Sequence, residues 1–430
     1  MRRLWFNGAV VSMDPAMTRY EAVGVEGGRI VFLGSSRDAL SQAWDERRDL
    51  EGASVLPGFT DSHMHLLHYA WLRRNLSLFG VGSIEELIRR CREQIRQDSP
   101  AYLIAQGWNH DTMEEGRLVT RRDLDRVSTS IPVCALRACL HIGACNTVML
   151  ERIRSLPHVD PDVLAKVDFE NGILREEALH LYSDVLPAAN DQAVRSLILL
   201  AQRELNAAGV TCVNSDDLRT IPGVDPFRLI QVFREMERRG ELTLRIVEQC
   251  QIYREDFDRF QAVRSDPGDR DSLFRTGPRK LLQDGSLGAR SAEMEGGYAD
   301  APDNFGIPIY TEEELFQYID AAHRAHMDVA VHTIGDLALR KACDAFERAE
   351  KAHAWPGHRH GVVHAQITTP ALLRRIKELG LQVFIQPIFI DADMKIIAQR
   401  VGERRARECY NWKTMIDLGL HVSGGADCPV

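Results

Sequence analysis

Over the first 34 residues apolar and polar positions alternate with a period of two, in Leu4-Trp5-Phe6, Ala9-Val10-Val11, Ala22-Val23-Gly24-Val25 and Arg29-Ile30-Val31-Phe32-Leu33. That period sends successive side chains to opposite faces of an extended chain, so these runs predict short strands. Gly27-Gly28, between the last two, reads as a tight hairpin turn. A small β-sheet domain over residues 1–53 follows. From residue 54 the texture changes. Apolar runs lie at 58–62, Val210–Asn214, Leu242–Val247, Lys280–Leu282, Asp328–Val331, Gly361–Val363, Leu381–Ile385 and Leu420–Val422, and all but the last are followed by residues with helical spacing. From residue 328 onward the runs recur every roughly 30 to 40 residues, the length of one strand-plus-helix unit. Strands alternating with helices predict a parallel sheet, and eight of them predict an α/β fold of the (β/α)8 type, a TIM-like barrel over residues 54–430.

The spacing breaks once. Between the first and second candidate strands, residues 66–209 are far more than one helix needs, so a cap-like insertion is expected there. It carries candidate helices at 84–97, 176–185 and 191–208 and a candidate strand at 132–138. The eighth strand ends close to residue 426, which leaves no residues for an eighth helix. The C-terminus is therefore read as truncated, or as completed by another subunit.

Composition narrows the class. Apolar residues make up 44% and charged residues 27% of the 430, the balance of a soluble globular chain, which excludes a disordered or fibrous protein. Lys+Arg total 53 against 62 Asp+Glu, a formal net charge of −9 with no basic block. That excludes a general nucleic-acid binder, whose affinity rests on neutralising phosphates. No apolar run reaches the ~18 residues of a membrane span, and Asn7 interrupts the N-terminal apolar run too early for a signal-peptide core. The nine cysteines are dispersed, without a CxxC pair, which points to reduced thiols and a cytoplasmic location.

Candidate chemistry gathers at strand ends. His63-Met64-His65 follows the first strand, and residues two apart on a strand share a face, so both imidazoles can reach one ion. The pattern alone is weak, because a chain with 15 histidines also contains His358-Arg359-His360. Position separates the pairs: barrel active sites lie at the C-terminal ends of the strands. His63 and His65 end a strand, whereas His358 and His360 precede one and are read as structural. Applied to other strands, the same test adds Lys280, His332, His364 and Asp427. Taken singly, each has an ordinary structural role; six in this order at one barrel mouth form a metal-capable set.

These residues sit in motifs that resemble a known family. Pro57-Gly58-Phe59-Thr60-Asp61-Ser62-His63-Met64-His65 resembles the first-strand signature of the amidohydrolase superfamily. Lys280 with Asp284-Gly285-Ser286-Leu287-Gly288, Val331-His332-Thr333-Ile334-Gly335-Asp336, His364-Ala365-Gln366, Gln386-Pro387 and Gly425-Ala426-Asp427 resemble its YtcJ-like branch, amidohydrolase family 3. Gly107-Trp108, His141, Asn146 and Leu174 with Glu176 in the insertion are similar to the same branch. Val363 stands where the resemblance leads one to expect Glu. The resemblance implies a hydrolase with two divalent metal ions, zinc being the best match to the ligands. His63 and His65 would hold one ion, His332 and His364 the other, and Lys280 would bridge both as a carbamate. Asp427 would bind the first ion and act as the catalytic base. Trp108, His141, Asn146, Arg175 and Glu176 are the candidate substrate contacts, and Asp61 is expected to support a ligating histidine.

The implied reaction is hydrolysis of a non-peptide C–N bond in a small amide, N-formyl compound or cyclic amide, by hydroxide activated at the metals. Two other readings stay open: a non-catalytic protein using the fold for binding or regulation, and a deaminase or an ester or lactone hydrolase. The expected partner is a small-molecule amide, with no nucleic acid, no membrane, and a homo-oligomer as the assembly.

Overall fold

The computed structural model describes residues 1–138, 142–175, 178–187, 189–221, 223–266 and 268–429. Eight strands lie side by side in one sheet in chain order: β1 (Phe59–Met64), β2 (Val210–Ser215), β3 (Arg245–Cys250), β4 (Phe274–Leu282), β5 (Val329–Thr333), β6 (Gly361–His364), β7 (Gln382–Ile385) and β8 (His421–Gly424). From β3 to β8 every neighbouring pair is parallel. Strands covered on both faces read as unbroken apolar runs, and Val329, Ala330, Val331, Val362 and Val363 are all fully buried. The chain beyond β8 meets β1 at its C-terminal end, where Asp427 N donates to His63 O at 2.8 Å and His65 N donates to Cys428 O at 2.9 Å. Asp61 ties the same seam by accepting from His63 N and Ala426 N, both at 3.1 Å. This is the (β/α)8 arrangement that the alternating pattern predicts.

The helices between strands start where capping chemistry allows. Asp225 accepts from Arg228 N at the head of Pro226–Arg238, and Thr369 accepts from Leu372 N at the head of Pro370–Glu378. Thr311 and Glu314 form a reciprocal capping box for Glu312–Arg324. The helix Asp336–Ala352 buries Leu339, Ala342, Cys343, Phe346 and Ala349 along one stripe, the spacing of an amphipathic helix.

Two strands differ from their sequence reading, and the cause is a bulge. β3 runs three residues further than the apolar pattern suggests because its end is polar but buried: Glu248 and Gln249 are both fully enclosed. β4 begins at Phe274 rather than Lys280, with Gly277-Pro278 inside it. The register between them shifts between Glu248 and Cys250. A Cβ on Gly277 would stand 2.9 Å from Glu248 O, so only glycine fits opposite the bulge.

The inserted region carries a second sheet, ordered Ile173–Arg175, Ile142–Cys145, Val133–Arg137, Leu103–Trp108, Leu76–Ser77. It has a core of its own on each face. One contains Ile84, Leu87, Cys91, Trp108 and Leu124, the other Met149, Ile153, Leu174, Leu181 and Tyr182. Helices at Ile84–Asp98 and Asp191–Ala207 match the sequence reading, while the candidate helix at 176–185 is confined to Leu181–Asp184 among the described residues. The flanks of the inserted region belong to the barrel's helical layer. Leu66–Arg74 is joined to Asp191–Ala207 by an Arg73–Glu204 ion pair and by Tyr69 Oη donating to Glu204.

The N-terminal residues, with 209–212, form a separate compact unit. It holds a four-stranded sheet, in the order Arg29–Gly34, Ala22–Glu26, Arg2–Phe6, Glu46–Asp49, and a smaller three-stranded one. Gly27 and Gly28 have φ of 57° and 78°, the two consecutive positive values that the hairpin requires. Among the described residues no helix is long and apolar enough to cross a membrane.

Candidate metal centre

Strand parity and strand ends bring six side chains together. His63 and His65 leave the end of β1 with ring centroids 5.4 Å apart. Lys280 on β4 is 1% exposed, and its Nζ lies 3.3 Å from His63 Nε2. His332 on β5 and His364 on β6 have centroids 4.4 Å apart, and the His364 ring is 5.7 Å from His63. Asp427 follows β8, with Oδ1 3.2 Å from His63 Nε2 and 3.3 Å from His65 Nε2. Ligand-capable atoms of His63, His65 and Asp427 all lie within 4.8 Å of one another. Val363 is fully buried and, as the strand neighbour of His364, faces the other way.

What the set can bind follows from its protons. His63 Nδ1 is 2.8 Å from Gln249 Oε1, and the amide is oriented by Gln249 Nε2 donating to Ser62 O. His364 Nδ1 is 2.7 Å from Gln386 Oε1, with Gln386 Nε2 donating to Phe384 O. His65 Nδ1 faces Asp216 O at 2.8 Å and His332 Nε2 faces Gly285 O at 3.1 Å. All four outer partners are acceptors, so the outer nitrogen of each ring carries the proton and the inner nitrogen presents a lone pair. Burial reinforces this. It pushes His332 down to about 4 and His364 well below the usual histidine range, and it lowers His63 with help from the Lys280 charge. These three rings are neutral and able to donate a lone pair at neutral pH, whereas at His65 burial is outweighed by the hydrogen bond and charge of Asp427 and by the charge of Asp216, which raise it.

The consequence is a pocket of acceptors facing acceptors. His364 Nε2 and His332 Nδ1 stand 2.9 Å apart, and the buried Asp427 Oδ1 finds no hydrogen-bond donor although two imidazole nitrogens are near it. A divalent cation resolves both, so the donor set fits a metal. Lys280 Nζ, at the same centre, pairs with Asp216 Oδ2 at 3.2 Å.

The candidate substrate contacts fall elsewhere. Trp108 is fully buried in the insertion's core, with Nε1 donating to Ala135 O at 3.0 Å. Asn146 is also fully buried. Its Oδ1 accepts from Val133 N and Met149 N, and its Nδ2 donates to Ser128 O and Ile131 O, so every polar group is used in capping Thr147–Arg154 and closing a turn. The expectation that these two touch substrate is corrected: both are packing residues of the insertion. Arg175 is exposed on the outermost strand of that sheet. His141 and Glu176 lie outside the described residues. His358 and His360 stand at the opposite end of β6, away from the mouth, in keeping with a structural role.

Sequence reasoning missed Asp216 and Gln249. Asp216-Asp217 directly follows the apolar run of β2, and the strand-end test that found His332 and His364 would have found it. Gln249 carries no such signal, because its partner lies 186 residues away.

The Amidohydrolase family model (Amidohydro_3) matches residues 46–430. The chain belongs to this family. Putative amidohydrolase YtcJ of Bacillus subtilis is 29% identical over 440 residues, covering 100% of this chain and 81% of that protein. N-substituted formamide deformylase of Arthrobacter pascens is 23% identical over 448 residues, covering 98% and 80%. An uncharacterized metal-dependent hydrolase from Pyrococcus furiosus superposes with a TM-score of 0.83 at 29% identity, over 100% of this chain and 86% of that one. As an amidohydrolase, the chain is a metal-dependent hydrolase on a TIM-like barrel.

Proposed function

We propose that this amidohydrolase cleaves a non-peptide C–N bond in a small amide, an N-formyl compound or a cyclic amide. The observation that carries the reading is the inward convergence of four imidazoles and Asp427 at the C-terminal ends of the strands. The relative from Arthrobacter pascens, named for an N-substituted formamide, supports the choice of bond. His63, His65 and Asp427 would hold one divalent ion and His332 and His364 a second, and zinc suits imidazole and carboxylate best. Lys280 would contribute a carboxylate-like oxygen ligand once its ammonium has lost two protons and Nζ has added to CO2 as a carbamate, giving up the ion pair with Asp216. Metal at this centre supplies Lewis acidity, polarising a carbonyl and bringing water's pKa from ~15.7 toward ~7.

The protein's own groups do the rest. The outer acceptors keep each imidazole in the tautomer that donates inward. Asp427 takes the proton of the attacking water and returns it to the leaving nitrogen, which would otherwise depart as an amide anion. Dispersed cysteines without a CxxC pair support a cytoplasmic setting.

The test is elemental analysis of purified protein combined with a substrate screen. We expect two divalent ions per chain and release of amine from N-formyl and N-acyl amines. Asp427→Asn should abolish turnover, and Lys280→Ala should lower the metal content. Protein that takes up neither zinc nor manganese and shows no turnover would establish the non-catalytic reading instead. Turnover of esters, lactones or amino-heterocycles alone would move the assignment to those bonds.

A further inference from the structure

The mouth of the barrel has two unlike sides. On the side of β6 and β7 it is apolar: the Phe389 ring stacks on His364 at 5.7 Å and 15°, and Ile388 beside it is 62% exposed. On the side of β2 to β4 it is cationic and aromatic. Arg219 is exposed on the turn after β2, and its guanidinium lies 3.7 Å from the centroid of the Tyr253 ring, on the loop after β3. Tyr310, held at the end of β4 where its carbonyl accepts from Gln283 Nε2, packs on Tyr318 at 5.0 Å. Arg279, the strand neighbour of Lys280, faces the helical layer instead: it is 1% exposed, lies against Phe257 at 4.3 Å and Tyr318 at 4.8 Å, and donates to Tyr318 O and Ile252 O. Exposed Arg254 adjoins Tyr253.

Acids share this edge in a chain of net charge −9: Glu255 and Asp256 follow Arg254, and Asp216-Asp217 precede Arg219. Among the described residues none of the three arginines has a carboxylate at ion-pair distance. Two of the nearby acids are engaged: Glu314 accepts from Thr311 N and Oγ1, and Asp216 pairs with Lys280. The turn is also fixed to the metal centre. Asp216 O accepts from both His65 Nδ1 and Thr220 Oγ1, and Thr220 N donates to Asp217 O. Arg219 therefore sits in a five-residue turn anchored at its start to His65 and Lys280. A guanidinium lying on an aromatic face keeps its planar edge free, in the geometry that takes a carboxylate through two parallel hydrogen bonds.

We propose that Arg219, supported by Tyr253, binds a carboxylate carried by the substrate, and that the substrates are carboxylate-bearing amides whose apolar part lies toward Phe389. This deepens the reading of the site as an amide hydrolase and rests on it.

The test uses the zinc-loaded full chain. Binding of N-benzoylglycine and 4-carbamoylbenzoate is compared with that of uncharged N-methylbenzamide and benzamide, through the concentration dependence of the ligand-induced shift in thermal unfolding. Wild type should bind the carboxylates at least tenfold more tightly, and Arg219→Gln should erase that preference without lowering the unfolding midpoint of the ligand-free protein. A wild type without preference, or an Arg219→Gln variant that keeps it, overturns the proposal. Displacement of both carboxylates by millimolar inorganic phosphate would show an unselective anion site and overturns it as well. Product release separates the two readings. Preferential carboxylate binding without hydrolysis leaves Arg219 in its role and removes the hydrolase; hydrolysis of the uncharged amides without carboxylate preference does the reverse.

Discussion

At the scale of the residue, the chemistry of this centre is decided by groups that never reach the substrate. A ligating histidine is useful only in one tautomer, and Gln249, Gln386, Asp216 O and Gly285 O each select it by accepting from the outer nitrogen. Replacing Gln249 by Leu keeps approximate volume but leaves His63 Nδ1–H buried without an acceptor. The ring can then turn or exchange tautomers, and metal affinity should fall by ~10- to 100-fold. Competition against a chromogenic chelator measures this, and an unchanged dissociation constant would show that Gln249 does not set the His63 tautomer. The contrast with His63 and His65 explains what a reader of the sequence can see. Two histidines on one strand face are announced by parity, and His332, His364 and Asp427 by their place after apolar runs. Gln249 is polar like any strand-end residue, and only a contact across the barrel gives it meaning. Trp108 and Asn146 show the opposite failure: both sit in family-like motifs, yet burial commits them to the insertion's core.

At the scale of the element, the motifs around Asp284 and Gly335 join loops together. Asp284 is 1% exposed and accepts from Glu293 N, Ile334 N and Gly335 N at 2.7 to 3.0 Å. The loop after β4 is thereby fastened to the turn that follows β5 and carries His332 into place. Gly335 completes the joint by close approach, since a Cβ there would lie 2.0 Å from Glu293 O. Asp284→Asn would turn an amide N–H₂ toward at least one of those donors, leaving it unsatisfied in a dry setting. We expect a loss of ~1–3 kcal/mol in urea-induced unfolding. Gly335→Ala must push the Glu293 backbone aside, and should destabilise by a similar ~1–3 kcal/mol. If both variants unfold at the wild-type midpoint, the two loops are not coupled as described. The same physics limits what the pattern reveals of the strands. β3 is misplaced by a reader because Glu248 and Gln249 are polar and buried, and β4 is shortened because Gly277-Pro278 looks like a turn. Both errors meet at one bulge, where the barrel gives up local regularity to aim Gln249 at His63.

At the scale of the whole molecule, the two ends of the barrel use histidine in different ways. The mouth gathers rings whose inner nitrogens converge. At the opposite pole a chain of hydrogen bonds uses both nitrogens of each ring. Val329 N donates to His360 Nδ1 at 3.0 Å, so the proton of His360 sits on Nε2 and points at His323 Nδ1, 2.8 Å away. His323 Nε2 in turn donates to His353 O. The chain closes only if both rings are neutral, and it joins the start of β5, the start of β6 and the end of the helix before them. Burial, with the charges of His358 and His323, pushes His360 down to about 2, and burial lowers His358 as well, while Glu350 and Asp328 nearby favour charge on His358. For a histidine whose folded pKa lies below its unfolded value of ~6.5, stability is fully present above pH ~6.5 and is lost as pH falls, by up to ~1.4 kcal/mol per pH unit. His360→Asn tests this, because the Asn Oδ1 replaces Nδ1 as the acceptor for Val329 N while the titrating group is removed. Urea midpoints of the chelator-treated protein at pH 7.5, 6.5 and 5.5 should fall more steeply for wild type than for His360→Asn. The metal-centre histidines titrate in both proteins and cancel in the difference. Parallel curves would mean that the pole is insensitive to acid, and that the protein's acid lability originates at the mouth.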